Sequence, residues 1–345
     1  MNKLLVILGP TATGKTDLAL QLASKFQGEL VACDSRQVYR GLDIGTGKMP
    51  THSVILRAKP EGYNYILRFA QNDIEKSNGY WIVDGVKIWM YDVVSLKVQY
   101  TVADYVKDAE KVIMDIWNRE KLPIIVGGTG LYLKALLEGL PNLEIPVDMD
   151  LREKLEKLSV EELQEKLKGL SIKKWKGLNE SDRQNPRRLV RAAELTLDRG
   201  DRGNKGNQGI GTGIRNCDIL KIGLTAPREV LYEKTDLRVL EWIDQGIIEE
   251  TKELHKKGLS LKRMRQLGLE YGVLADYLEG KLIDGNMQNQ QSLLARRLAS
   301  KIHGYIRRQL TWFKKEKNVE WFDVTKQDYV NNVEILVGTW YHNLK

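Results

Sequence analysis

The stretch GPTATGKT, residues 9–16, lies between an apolar run, LLVIL (4–8), and an amphipathic one, DLALQLASKF (17–26). It fits G-x-x-x-x-G-K-[ST], with Gly9, Gly14, Lys15 and Thr16 at the defining places. Glycine lets the backbone turn tightly, so successive N–H groups converge on phosphate oxygens. A helix that follows adds its positive end. Lys15 supplies a mobile charge, and the Thr16 hydroxyl suits Mg²⁺. A strand before and a helix after distinguish this loop from a chance glycine-rich turn.

Working outward, residues 4–8 read as a buried parallel strand. Residues 16–26 read as a helix with Ala19, Leu22, Ala23 and Phe26 on one face. ELVAC (29–33) is a second strand, followed at once by Asp34. Residues 101–118 predict a helix. Thr101 and Asp104 resemble a capping box, and Val102, Val106, Ala109, Ile113 and Ile116 form its apolar stripe. LPIIVGG (122–128) is another strand. This alternation predicts an α/β fold with a doubly wound parallel sheet.

The expected domain layout has residues 1–140 as the first part of the core, with an atypical insertion at 52–80. From about Pro141 the texture changes to charged and helical, including a helix at 185–197 that begins near Pro186. Residues 141–197 therefore read as a helical insertion. Residues 198–216, DRGDRGNKGNQGIGTGIRN, have glycine every second or third place and almost nothing to bury, which predicts a flexible loop. ILKIGLT, from Ile219, returns to strand character, so residues 217–345 complete the core and end in basic helices.

The chain has 345 residues, 42% apolar, with a net charge of +8. No apolar run reaches the ~20 residues of a membrane span. The N-terminal run passes straight into the glycine loop without a cleavage site, so it reads as a strand, not a signal peptide. Two cysteines, Cys33 and Cys217, and four scattered histidines exclude a disulfide framework and any zinc-site spacing. A cytoplasmic monomer is expected, with no membrane association and no obligate protein partner.

The positive charge is placed, not scattered. Taking 294–315 as one helix at ~100° per residue, Leu294, Leu298, Ile302, Tyr305, Ile306, Leu310, Trp312 and Phe313 fall within an arc of about 160°. Arg296, Arg297, Lys301, Arg307, Arg308, Lys314 and Lys315 occupy the other side. Like charges so aligned repel unless they meet an anion, which points to RNA phosphate.

Metal-dependent phosphoryl transfer usually needs an acid at the end of a later apolar strand. Here that strand ends IIVGGTG, with Thr129 where an acid could sit. Asp34 is instead the one acid at a strand's C-terminal edge, where α/β sheets build their sites. No guanine-reading N-K-x-D occurs. Three readings stand on these residues: a small-molecule kinase with Asp34 as base, a transferase whose leaving group is diphosphate, and an RNA-binding protein with a relic loop. An intact Lys15, Thr16 and Asp34 set argues against the relic. Cys33 reads as a buried strand residue.

GPTATGKT, DSRQVYRGLDIGTGK, LPIIVGGTGLYLKALLEGL, NPRRLVRAAE, IGLTAPREVLYEK and RRQLTWFKK, in this order, closely resemble bacterial tRNA dimethylallyltransferases, also called tRNA isopentenyltransferases. The resemblance lapses at 52–80 and 198–216. It implies a P-loop kinase-like core that uses Mg²⁺. The reaction it implies moves a dimethylallyl group from dimethylallyl diphosphate to N6 of the adenosine just 3′ of the anticodon. The partner it implies is the tRNA anticodon stem-loop. By this resemblance Gly9, Pro10, Thr11, Ala12, Thr13, Gly14, Lys15 and Thr16 hold the donor's diphosphate with Arg238, and Thr16 is the metal ligand. Asp34 looks like the base that takes the amine proton, assisted by Lys15 and Thr16. The resemblance places Asp34, Ser35, Arg36, Gln37 and Thr129 against the RNA, with Arg36 at a variable position of the motif. It places Arg187, Arg188 and Arg191 on the stem-loop, with Arg152 near the start of the insertion.

Overall fold

The computed structural model describes residues 1–48, 73–143, 145, 147–202, 214, 216–282 and 287–343. Two compact units emerge: Met1–Leu136 with Gly213–Lys345, and Leu137–Thr212. The chain opens with β1 (Lys3–Leu8), α1 (Lys15–Lys25), β2 (Gly28–Ala32), β3 (Ile74–Ser77), β4 (Gly79–Val83), β5 (Val86–Tyr91), α2 (Val102–Asn118), β6 (Leu122–Gly127) and α3 (Gly130–Glu138). The second unit carries α4 (Met149–Leu155), α5 (Val160–Leu170), α6 (Ile172–Lys176), α7 (Glu180–Arg183) and α8 (Pro186–Arg202). The first unit then resumes with β7 (Asp218–Thr225), α9 (Arg228–Asp244), α10 (Ile247–Lys256), α11 (Leu261–Leu267) and α12 (Leu269–Leu278). It ends with α13 (Met287–Phe313), β8 (Glu320–Asp323) and α14 (Tyr329–His342).

The sheet order is β3-β4-β5-β2-β6-β1-β7-β8. From β5 to β8 every neighbouring pair is parallel. β1 lies within the parallel part, between β6 and β7, with Leu5 in register with Ile124 of β6 and Leu220 of β7. Its residues Leu4 to Leu8 are fully buried, as a parallel strand covered on both faces requires.

The sheet is mostly parallel, as expected, with an antiparallel edge. β3, β4 and β5 pair antiparallel at one edge. Residues 73–80, assigned from the sequence to an insertion without a period, supply β3 and the start of β4. The signal is short and weak because β3 is mostly exposed. Burial does not alternate in β3 but does in β4, where Trp81 and Val83 are inward. Trp81 is fully buried and meets Tyr91 edge-on at 5.4 Å. The rest of that insertion, 52–72, lies outside the described residues.

The α2 capping box forms as read: Asp104 N–H donates to Thr101 Oγ1 at 3.2 Å, and Thr101 N–H to Asp104 Oδ2 at 2.8 Å. The basic helix near the C-terminus also forms, starting earlier, at Met287, and ending at Phe313. Leu294, Leu298, Ile302, Ile306 and Phe313 are buried, while the seven arginines and lysines of its other side are exposed.

Residues 198–216 differ from the expected loop at both ends. α8 runs on to Arg202, because a helix already nucleated adds one hydrogen bond per residue and tolerates a single glycine. Ile214 is fully buried, and Cys217 Sγ donates to its carbonyl at 2.9 Å. Residues 203–213 and 215 lie outside the described residues. The second unit has its own small core of Leu155, Leu163, Leu167, Leu189, Val190, Ala192 and Ala193. Among the described residues no helix is long and apolar enough to cross a membrane.

Candidate active site

The carboxyl ends of β1, β2 and β6 open onto one cavity of about 110 Å³. Thr11, Ala12, Gly14, Lys15 and Thr16 line it from the loop after β1. Asp34, Arg36 and Gln37 line it from the turn after β2, and Gly127 and Gly128 from the end of β6. Asp17, Gly45, Thr46, Arg238, Trp242, Glu270 and Gln309 are also in the wall. The glycine loop is pressed against β7: a Cβ on Gly9, held at φ +143°, would stand 2.3 Å from the Leu224 carbonyl oxygen. Ala12 is held at φ +69°, the kind of strain that collects at ligand clamps.

The cavity carries as many acids as bases, Asp17, Asp34 and Glu270 against Lys15, Arg36 and Arg238, with Arg36 bonded to Glu270. Its surroundings desolvate Lys15 and pull its pKa down to about 7. Arg238 adds to that effect, and Asp34 opposes it. Desolvation likewise lowers Arg238, with Asp17 opposing. Asp17 is itself raised by burial, against the pull of Arg238 and Lys234. Lys15 Nζ donates to the Pro10 carbonyl at 2.6 Å, and Thr13 Oγ1 donates to the same oxygen at 2.9 Å. A lysine held by its own loop and repelled by a facing arginine is a group awaiting an anion.

Asp34 stands at the opening of the turn after β2. Its Oδ1 accepts from the Arg36 N–H at 2.9 Å, and Arg36 Nε is 3.7 Å away. Arg36 Nη1 pairs with Glu270 Oε2 of α12. Gln37 Nε2 donates to the Thr46 carbonyl at 3.1 Å, tying this turn to the DIGTGK segment. Thr129 Oγ1 is buried beside the Tyr305 hydroxyl, whose pKa burial and Asp34 push up to about 12. Burial also pushes the Cys33 thiol up to about 12, which leaves it inert as a nucleophile at neutral pH.

Of the residues singled out from sequence, the loop, Asp34, Arg36, Gln37 and Arg238 share this cavity. Gly9, Pro10 and Thr13 shape the loop from behind, and Ser35 and Thr129 flank the cavity without lining it. Four arginines belong to the second unit. Arg152 holds Glu194 through Nε at 2.5 Å and Nη2 at 3.0 Å. Arg191 reaches the same carboxylate at 3.1 Å and the carbonyls of Asn142 and Ile145 at 3.2 and 2.9 Å. Arg188 pairs with Asp182, and both Arg187 and Arg188 are exposed.

Sequence reasoning missed Gln309, Glu270 and Trp242. Gln309 is buried on α13. Its Oε1 accepts from the Thr11 N–H at 2.9 Å, and its Nε2 donates to the Gly128 carbonyl at 2.9 Å. A Cβ on Gly128 would meet Gln309 Nε2 at 2.3 Å, and one on Gly130 would meet the Trp312 ring at 2.2 Å. The glycines of VGGTG are thus the landing place for α13. The signal available was RRQLTW itself, a polar Gln inside an apolar stripe.

Two family models match this chain: IPP transferase over residues 82–316 and isopentenyl transferase over 2–59. The tRNA dimethylallyltransferase 2 of Treponema denticola is 36% identical over 91% of this chain and 92% of its own length. The chain belongs to the tRNA dimethylallyltransferase (IPP transferase) family. Membership makes it a transferase. The family's tRNA dimethylallyltransferase from Bacillus mycoides is 32% identical over 96% of this chain and 93% of its own. The crystal structure of the full-length tRNA isopentenylpyrophosphate transferase of Bacillus halodurans matches at a TM-score of 0.61 and 29% identity, covering 98% of this chain and 96% of that one. A eukaryotic dimethylallyltransferase captured acting on tRNA matches at 0.70 and 20% identity, over 99% of this chain and 79% of that one. At that identity it speaks for the fold, the P-loop α/β core expected of the family.

Proposed function

We propose that the cavity holds the diphosphate of dimethylallyl diphosphate. The dimethylallyl group then passes to N6 of the adenosine immediately 3′ of the anticodon in tRNA. One observation carries this reading: Lys15 and Arg238, both desolvated, line the same small cavity as the Asp34 carboxylate. The two basic groups suit a leaving group that gains negative charge, and the carboxylate suits a nucleophile that loses a proton.

The allylic C–O bond breaks and its electron pair leaves with the diphosphate. Loop N–H groups, Lys15 and Arg238 stabilise that charge where it develops. The adenine N6 lone pair forms the new bond to carbon, and its proton passes to Asp34. Unstacking the base costs a few kcal/mol, less in a loop than in a duplex. Mg²⁺ fits the donor set. The Thr16 hydroxyl is a hard oxygen lining the cavity, the kind of donor Mg²⁺ takes. Thr16 would hold it, and when bound it adds positive charge against the diphosphate.

Ser35, Gln37 and Thr129 would border the flipped adenosine. Arg187 and Arg188 would grip the anticodon stem-loop, on a surface organised by Arg152 and Arg191. The basic face of α13 would meet RNA phosphates, making affinity fall steeply with salt. The reading takes the protein as a cytoplasmic monomer, with both cysteines unbridged. The test is incubation with unmodified tRNA and dimethylallyl diphosphate, followed by mass analysis of the nucleosides. Prenylated adenosine is expected. Asp34→Asn lowers turnover by ~10²–10⁴-fold while tRNA still binds. Undiminished turnover in that variant, or consumption of ATP with a small metabolite in place of prenylation, overturns the reading.

A further inference from the structure

Arg36 and Glu270 form an enclosed ion pair that the chemistry above leaves unused. Their side chains are 10% and 4% exposed, and both line the cavity beside Asp34. Arg36 touches Asp34 in two ways: its backbone N–H donates to Oδ1 at 2.9 Å, and its Nε stands 3.7 Å from that oxygen. The latter separation is too long for a hydrogen bond. The far end of the guanidinium, Nη1, is bonded to Glu270 Oε2. The Tyr305 ring lies 5.7 Å from the guanidinium carbon and bounds it on another side.

A guanidinium two residues from a carboxylate, in a site poor in water, is strongly drawn into a two-pronged pair with it. Such a pair would occupy both oxygens of Asp34 and neutralise its charge. Something must outcompete Asp34 for Arg36. Glu270 does so from the first turn of α12, on the opposite end of the guanidinium. Burial pushes the Glu270 carboxyl up and the Arg36 charge opposes this, so each member sustains the other.

We infer that Glu270 is a positioning residue that holds the Arg36 guanidinium off Asp34, so that Asp34 keeps a carboxylate oxygen for the adenine amine. This rests on the reading of Asp34 as proton acceptor. It also gives Arg36 an internal task in place of the RNA contact expected from its motif.

Three variants test it: E270Q, R36M and R36M/E270Q, each assayed for prenylation under saturating tRNA and dimethylallyl diphosphate, with melting temperatures alongside. E270Q lowers kcat by ~10- to 100-fold with both KM values within about threefold of the parent, because Arg36 closes on Asp34. R36M/E270Q runs at least about tenfold faster than E270Q, since no guanidinium remains to close. R36M alone keeps KM for the donor and is faster than E270Q. A pair that is only structural behaves otherwise: kcat and both KM values decline together, in step with melting temperature. That pattern overturns the inference. So does E270Q at parental kcat, or a double variant no faster than E270Q. Should E270Q not fold, E270D replaces it, with a smaller loss of kcat expected and an unchanged kcat overturning the proposal. Asp34→Asn separates the two levels. Normal turnover there removes the reading of Asp34, and an inactive Asp34→Asn beside an unimpaired E270Q removes the inference alone.

Discussion

The donor cavity and the helical unit use the same kinds of cationic residue to opposite ends. In the cavity, Lys15 and Arg238 are desolvated, and Arg238 further disfavours the charge on Lys15. In the helical unit, Arg152 and Arg191 converge on Glu194, which is 3% exposed. One carboxylate there is shared by two guanidiniums and fastens α4 to α8. A desolvated lysine beside an arginine favours the arrival of an anion, whereas guanidiniums bonded to a buried carboxylate are tied into their own helices.

The comparison breaks most visibly at Lys15. Lys15→Met removes a charge aimed at the leaving group and lowers kcat/KM by ~10²–10³-fold, with the fold intact by circular dichroism. A loss under tenfold would place the site's charge elsewhere. The counterpart in the helical unit is Glu194→Ala, which strands two guanidiniums and costs about 2–3 kcal/mol of that unit's stability. Chemical denaturation followed by Trp175 fluorescence reads it, while turnover of the remaining folded protein is nearly unchanged.

A subtler distinction comes from pH. Lys15 is cationic below about 7 and neutral above it in the free cavity. A bound diphosphate restores the charge, so at pH 8 donor binding takes up a proton. Affinity then falls by up to about tenfold per pH unit above 7. Calorimetry in two buffers of different ionisation enthalpy measures the uptake, and Lys15→Met abolishes it. The sign follows from burial: it holds this lysine's pKa low when empty, and an anion raises it. The smallest effects belong to the exposed arginines. Arg187→Ala and Arg188→Ala each weaken tRNA binding by a few-fold, and each reduces the slope of log affinity against log salt by about one phosphate's worth. Arg152→Ala leaves that slope alone, because its guanidinium is largely buried on Glu194, whereas Arg188 stays half exposed beside Asp182.

Local patterns explain what was legible. GPTATGKT carries its geometry in eight consecutive residues, and the α2 cap and the amphipathic α13 are set by neighbours within one or two turns. Asp34 stood out because it directly follows an apolar strand at the sheet's carboxyl edge; Asp92, directly after β5, holds a like place and was not read from the sequence. The mixed edge of the sheet was not legible, since β3 has too little burial to impose alternation. Gln309 and Glu270 were not legible either. They reach Thr11 and Arg36 across 298 and 234 residues of chain, and no periodicity encodes such a meeting.

From sequence alone came the phosphate loop, the succession of strands and helices, the basic helix and the family, because each depends on residues close in the chain or on motifs kept in order. Tertiary structure alone decided which charges are matched. It set Lys15 against Arg238, gave Arg36 to Glu270 and both Arg152 and Arg191 to Glu194, and drew α13 onto the glycines after β6. Desolvation and pairing are properties of packed space, so the same arginine can be a fastener or a binding group until its neighbours are known.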